Sequence, residues 1–206
     1  LCRLAYRVHL SPGQILKEGI SHITSLDIDF AGELGYTIKL LGIARSVGDR
    51  IEARVHPALV PQDSLLANIK DEFNAVEVVG SAAGPQVFYG RGAGELPTAS
   101  AVVADLITQA ERRKAGHAGS GLTLNNLPEA ITVPPEEIQT GAYCRLTVYD
   151  RSGVLAQIAT LFADKDVSIE TVIQHGRSET QDGTVPLILT THEAPESSIR
   201  TAIEAL

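Results

Sequence analysis

The sequence predicts an α+β protein: a mixed β-sheet region with helices, followed by a ferredoxin-like βαββα(β) module. Three observations carry this. Two pairs of β-type runs fold back around turn signals, at 36–60 and at 75–90. A stretch rich in Gly, Ala, Ser and Asn, AGHAGSGLTLNN at 115–126, interrupts the apolar periodicity and reads as a linker. Beyond it the pattern runs strand, helix, strand, strand, helix. The expected division is therefore 1–114, a connecting segment 115–141, and 142–206.

Taken in order, LCRLAYRVHL reads as the end of a helix, and Ser11-Pro12 as an N-cap with a first-turn proline. QILKEG is expected to form a helical turn ending at Gly19. DFAGELG reads as a short helix stopped by Gly35. YTIKLLGIARSV and RIEARVHPALV flank Gly48-Asp49, a hairpin signal. His56-Pro57 is expected near the end of the second of these strands. AVEVVGS and QVFYG form a second hairpin candidate. TASAVVADLITQAERRK places Ala101, Val102, Leu106, Ile107 and Ala110 at helical spacing, and its basic last turn suits the helix dipole. In the second segment AYCRLTVYD alternates around Cys144, Leu146 and Val148, and SGVLAQIATLFADKD is an amphipathic helix. VSIETVIQHG and TVPLILTTH are strands, and ESSIRTAIEAL opens a helix capped near Ser197 or Ser198.

Composition narrows the function. With 17 Lys+Arg against 25 Asp+Glu among 206 residues, the net charge is −8, which disfavours nucleic acid and anionic membrane as partners. No apolar run approaches the roughly 20 residues of a bilayer span. Cys2 and Cys144 are too few for a disulfide framework or a zinc cluster, and read as buried reduced thiols in a cytoplasmic protein. The chain opens on Leu1 and contains no Met, so it is expected to be a piece of something longer. The pattern also stops one strand short of βαββαβ, so the second module is expected to be truncated.

Two places could carry chemistry. At 90–98, GRGAGELPT, a strand runs into glycines and then a helix. Glycine backbone can approach a ligand closely, and the N–H groups at a helix start favour an electron-rich edge. This is not the GxGxxG dinucleotide fingerprint. A ligand contact and a tight structural turn both remain open, and the pattern alone favours the turn. At 149–155, YDRSGVL, a strand-to-helix junction exposes N–H groups that could hold a carboxylate, including that of an amino acid. An ordinary capped helix fits the same spacing. The histidines, at 9, 22, 56, 117, 175 and 192, form no metal-ligand pair. Ser11, Ser64 and Ser100 lack a nucleophile-elbow context. Glu18, Asp27, Asp29 and Glu33 read as solvated or helix-capping carboxylates.

A family resemblance rests on longer stretches. EGI at 18–20, ELGYTIKLLGIA at 33–44, VHPALVP at 55–61, FNAVEVVG at 73–80 and FYGRGAGELPTASAVVADL at 88–106 together resemble the C-terminal part of the catalytic region of homoserine dehydrogenases. Residues 142–206 are similar to an ACT domain, which follows the catalytic region in bacterial forms. The resemblance covers nearly the whole chain.

It implies an oxidoreductase that interconverts L-homoserine and L-aspartate 4-semialdehyde with NAD or NADP, in threonine, methionine and isoleucine biosynthesis. The family's nucleotide-binding domain, substrate acids and catalytic lysine would precede Leu1. Lys17 and Lys39 do not stand in that motif, so no catalytic residue is expected here, and the chain alone is expected to be inactive. Gly94 resembles the family glycine that contacts the cofactor, and the strands before it resemble the dimerisation sheet. For the ACT domain the resemblance implies an amino-acid effector site, threonine being the family's inhibitor, at Asp150, Ser152, Gly153, Val154, Leu155, Ile173 and Gln174. Ser152 stands where such loops usually carry proline. A homodimer or homotetramer follows. Two rivals remain: a non-enzymatic amino-acid-binding regulator, and a structural dimerisation fragment that binds nothing.

Overall fold

A computed structural model describes residues 1–117, 126–175 and 183–206. Most of the expected linker (118–125) and Gly176, at the end of an expected strand, lie outside the described residues. The fold is α+β, and contacts divide it into two compact units. One comprises Leu1–Leu34, Ile38–Leu59 and Leu127–Leu206, and the other Gly35–Thr37 and Val60–Asn126.

In the first unit, helix α1 (Cys2–Tyr6) is shorter than expected and ends at Arg7 in a left-handed conformation. Ser11-Pro12 starts a single 3-10 turn, Pro12–Gln14, in which the Ser11 N–H donates to Gln14 Oε1 at 2.8 Å. The helical turn expected over QILKEG does not form. Leu16–Lys17 is instead a short strand, β1, parallel to Arg54–Val55. Pairing with a neighbouring strand satisfies this backbone better than one isolated helical turn. Helix α2 (Ser25–Glu33) begins four residues before the expected start, because Asp27 accepts the Thr24 backbone N–H at 2.8 Å in a capping box. It stops at Leu34, and Gly35 follows at φ +82°.

Strands β2 (Tyr36–Val47) and β3 (Arg50–Pro61) form the expected hairpin, and with β1 give the order β1-β3-β2. His56 therefore lies within β3, not at its end. The second unit holds the antiparallel pair β4 (Phe73–Gly80) and β5 (Gly84–Arg91), then helix α3 (Glu95–Lys114). No residue of α3 is buried, and Leu96, Val102, Val103, Leu106 and Ile107 are all exposed.

The segment after the linker does more than connect. It makes bridges at His9↔Glu129 and Ile51↔Thr132, and Ala130, Val133 and Ile138 are buried. Strand β6 (Gln139–Thr140) pairs with β10 (Ala194–Pro195); neither short strand was expected. Between them come β7 (Tyr143–Tyr149), α4 (Val154–Ala163), β8 (Ile169–Gln174) and β9 (Thr184–Thr191), and α5 (Glu196–Glu204) follows β10. Pro195 caps α5, so the helix starts ahead of Ser197.

The order β7-β9-β8, antiparallel throughout, is that of βαββα. Cys144, Ile158, Phe162, Val167, Leu187, Leu189, Ala194, Ile199 and Ala202 form the core under α4 and α5. Every residue of β9 from Leu187 to Thr191 is buried, so both faces of this central strand are covered. Of the two thiols expected to be buried, Cys144 is buried and Cys2 is only partly so.

α2 is tied to the face of this sheet opposite α4 and α5. Asp27 is 2% exposed, and its Oδ1 accepts from Arg145 Nε at 2.7 Å and from Tyr143 Oη at 2.9 Å. Burial raises the Asp27 carboxyl pKa, but hydrogen bonds from Thr24, Arg145 and Tyr143 outweigh it and leave the group at about 2. Further along α2, His175 Nε2 meets Glu33 Oε2 at 2.7 Å, and its ring stacks on Phe30 at 5.3 Å. Two members of the acidic cluster thus join α2 to the sheet, and only Asp27 also caps a helix.

Candidate functional sites

The glycine loop lies in the second unit. β4 and β5 pair from Phe73↔Arg91 to Gly80↔Gly84, and beyond Arg91 the chain turns into α3. The turn is held by one carbonyl: Glu72 O accepts the N–H groups of Gly92 at 3.0 Å and Ala93 at 3.3 Å. Gly94 is the N-cap of α3 at φ +113° and ψ 154°, a conformation L side chains rarely adopt. Its carbonyl accepts the Thr98 N–H at 3.1 Å. A Cβ at Gly94 would also stand 3.4 Å from Pro97 Cδ. The helix starts at Glu95, three residues before the expected start.

This geometry suits a flat, electron-rich ligand edge. The backbone at 94 is bare, and the first-turn N–H groups of a 20-residue helix carry the positive end of its dipole. A nicotinamide edge is one group that bare backbone and free N–H groups of this kind can accept.

The second site is a cleft of about 180 Å³ in the first unit. It is lined by Val148 to Leu155, with Gln174 and Leu187. β7 delivers Tyr149 and Asp150 to its rim, and β8 delivers Gln174, whose Nε2 lies 3.4 Å from Asp150 Oδ1. Gly153 caps α4 at φ +93°, turning the chain so that the first turn of α4 opens on the cleft. The Arg151 guanidinium lies over the Tyr149 ring at 4.8 Å. Cation, carboxylate, amide and helix N-terminus around a small volume match the groups of a free amino acid. Asp150, Ser152, Gly153, Val154, Leu155 and Gln174 all line the cleft. Ile173 does not; it pairs with Ile188 in the sheet.

Sequence reasoning missed the ties between α2 and the sheet, and a buried ionic group in β3. Glu52, 1% exposed, pairs with Arg45 Nε at 2.7 Å and Arg54 Nε at 3.2 Å. Burial lowers the Arg54 pKa while Glu52 opposes that shift. Among the described residues no three His, Cys, Asp or Glu side chains converge as a metal set, and no helix is long and apolar enough to cross a membrane.

Comparison with known proteins gives these geometries a context. A family model described as homoserine dehydrogenase matches residues 1–107, and one described as ACT domain matches residues 142–206. A homoserine dehydrogenase of Pseudomonas aeruginosa is 41% identical over 210 residues, covering 100% of this chain and 48% of that protein. One of Neisseria gonorrhoeae is 42% identical, covering 98% of this chain and 47% of that protein. The chain thus spans about half the length of the curated relatives it matches. A crystal structure of a homoserine dehydrogenase from Thiobacillus denitrificans superposes with a TM-score of 0.84 at 41% identity, covering 99% of this chain and 47% of that one.

Proposed function

This chain belongs to the homoserine dehydrogenase family, and on that premise we propose that it supplies the cofactor-edge, dimerisation and regulatory parts of an NAD(P)-dependent homoserine dehydrogenase. The enzyme would interconvert L-homoserine and L-aspartate 4-semialdehyde in the cytoplasm. The proposed division is 1–114 for the catalytic-region part, 115–141 connecting, and 142–206 for the ACT domain. Gly94 is the proposed cofactor contact, and its bare, positive-φ backbone at the head of α3 is the observation that carries the reading.

When bound, the nicotinamide supplies the hydride. Gly94 would give it a close backbone approach, and the first turn of α3 would present N–H groups to its polar edge. The exposed apolar side chains of α3, and Val76, Val78, Val79, Phe88 and Tyr89 on the β4–β5 pair, support a region covered by further protein in a homodimer or homotetramer. The test is NADPH oxidation with aspartate semialdehyde. A polypeptide of the relatives' full length that includes this chain is expected to turn over, and this chain alone is not. Measurable turnover by the isolated chain overturns the assignment.

A second reading has its own observation. The cleft around Asp150, Ser152, Gly153, Val154, Leu155 and Gln174 lies within one compact unit, so amino-acid binding is separable from catalysis. We assign it an amino-acid effector, with threonine the first to test and neighbouring Ile173 a candidate contact in a paired ACT assembly. Calorimetric titration of the isolated chain with L-threonine is expected to show saturable binding. A flat titration across a panel of amino acids refutes the assignment.

A further inference from the structure

We propose that Asn74 is a positioning residue for the cofactor: it sets the glycine loop so that Gly94 meets the nicotinamide edge. The proposal rests on the reading of Gly94 as a cofactor contact.

Asn74 is on β4, opposite Gly90 in the register, one pair in from the end of the hairpin. Its amide lies against the backbone of Gly92. A Cβ built at Gly92 would come 1.9 Å from Asn74 Nδ2 and 2.7 Å from Cγ. Gly92 thus leaves the space that the Asn74 amide fills. The same Nδ2 donates to Glu72 O at 3.5 Å, the carbonyl that already accepts from Gly92 and Ala93. Three donors converge on one oxygen, and two belong to the loop. Asp71, just before Glu72, adopts φ +55°, so the hub sits next to a left-handed non-glycine residue.

From Gly92 the chain needs only Ala93 to reach Gly94. Rotation of the Gly92 backbone would therefore carry Gly94 and the head of α3 with it. Asn74 is itself exposed, and an exposed side chain away from a core contributes little to stability. Its place against Gly92 has a clearer use in fixing a loop than in holding the fold.

The test uses the complete enzyme with three single variants, Asn74→Ala, Gly92→Ala and Gly94→Ala, and the double variant Asn74→Ala/Gly92→Ala. Asn74→Ala is expected to raise KM for NAD(P)H about tenfold, the size of one lost hydrogen bond. KM for the semialdehyde and the melting temperature should stay near wild type. Gly92→Ala should match it by displacing the amide. The double variant should be no worse than either single change, because Asn74 Cβ lies 3.4 Å from the new methyl. Asn74→Asp, which keeps the shape but turns a carboxylate oxygen toward the Glu72 carbonyl, should raise the cofactor KM at least as far as Asn74→Ala, and serves if the alanine variant fails to fold.

If Gly94→Ala raises the cofactor KM while Asn74→Ala leaves it within twofold, the positioning role is overturned and the reading of Gly94 stands. If Gly94→Ala leaves the cofactor KM unchanged, that reading fails and takes the proposal with it. Equal effects on both substrates, or a fallen melting temperature in Asn74→Ala and Asn74→Asp alike, mark a merely structural residue and also overturn the proposal.

Discussion

Replacing Asp27 by asparagine should remove much of the tie between α2 and the ACT sheet. The carboxylate accepts Arg145 Nε at 2.7 Å, Tyr143 Oη at 2.9 Å, Thr24 Oγ1 at 2.7 Å and the Thr24 N–H at 2.8 Å. Its pKa falls from 3.8 to about 2 in the fold. At 1.36 kcal/mol per pKa unit, that is about 2 kcal/mol in favour of the charged form. Because the folded pKa lies below the unfolded one, this stabilisation is fully present above pH 4 and is lost as pH falls toward 2.

Asparagine keeps the shape and carries no charge to lose. Urea unfolding of the purified chain and of Asp27→Asn, followed by far-ultraviolet dichroism, gives the difference between them at each pH. At pH 7 the variant should be about 2 kcal/mol less stable, in line with loss of a charge-assisted hydrogen bond. Between pH 4 and pH 2 the difference should shrink toward that of a neutral side chain. An unchanged difference from pH 7 to pH 2.5 would refute the argument, since the effect would then owe nothing to ionisation. Arg145→Gln leaves the buried Asp27 carboxylate without its cation and should cost at least as much as Asp27→Asn in the same assay.

Glu52→Gln should be costlier, because it leaves Arg54 largely buried beside Arg45 without the charge that offsets both. About 3–5 kcal/mol is expected in the same urea assay, and a loss under 1 kcal/mol would count against the buried pairing. Gly153→Ala forces a side chain into φ +93°, at a cost of about 1–2 kcal/mol. L-threonine titration should then show affinity reduced about tenfold, and unchanged affinity would detach the α4 turn from the cleft's function. Native alkylation with iodoacetamide at pH 8, read by mass, should label Cys2 and spare Cys144 until denaturant is added. Burial holds the Cys144 thiol up at about 11, so little thiolate forms there. Prompt double labelling would show that the core opens.

Where the sequence was legible, local periodicity and topology agreed. β7 alternates because one face meets the helices, and Cys144, Leu146 and Val148 fall on that face as the pattern indicates. The hairpin around Gly48 was readable from its turn, which has Gly48 at φ +62°. β9 reads as a continuous apolar run because both its faces are covered, and the sequence does not say by what. β1 could not be read: two residues carry no period, and their partners in β3 lie 38 positions away. The start of α2 is written in its capping residues rather than in its apolar pattern. Thr24 and Asp27 stand at the spacing of a capping box, whereas the apolar pattern of DFAGELG marks only the later part of the helix.

The sites divide along the same line. The cleft is built mostly from consecutive residues, 148–155, so a strand, a polar turn, a glycine and a helix announce it. Gln174 joins it only because β9 sets β8 in register, and the tie from Asp27 to Arg145 spans 118 positions. Yet both kinds of contact meet on the same two strands. β7 carries Arg145 to Asp27 and, one residue past its end, Asp150 to the cleft, while β8 places Gln174 in the cleft and His175, next in chain, on α2. A change in the cleft therefore need not travel far to reach α2: one peptide separates the residue that lines it from the residue stacked on Phe30. That adjacency follows from β8 running out of the sheet at the cleft, and no single-residue motif encodes it.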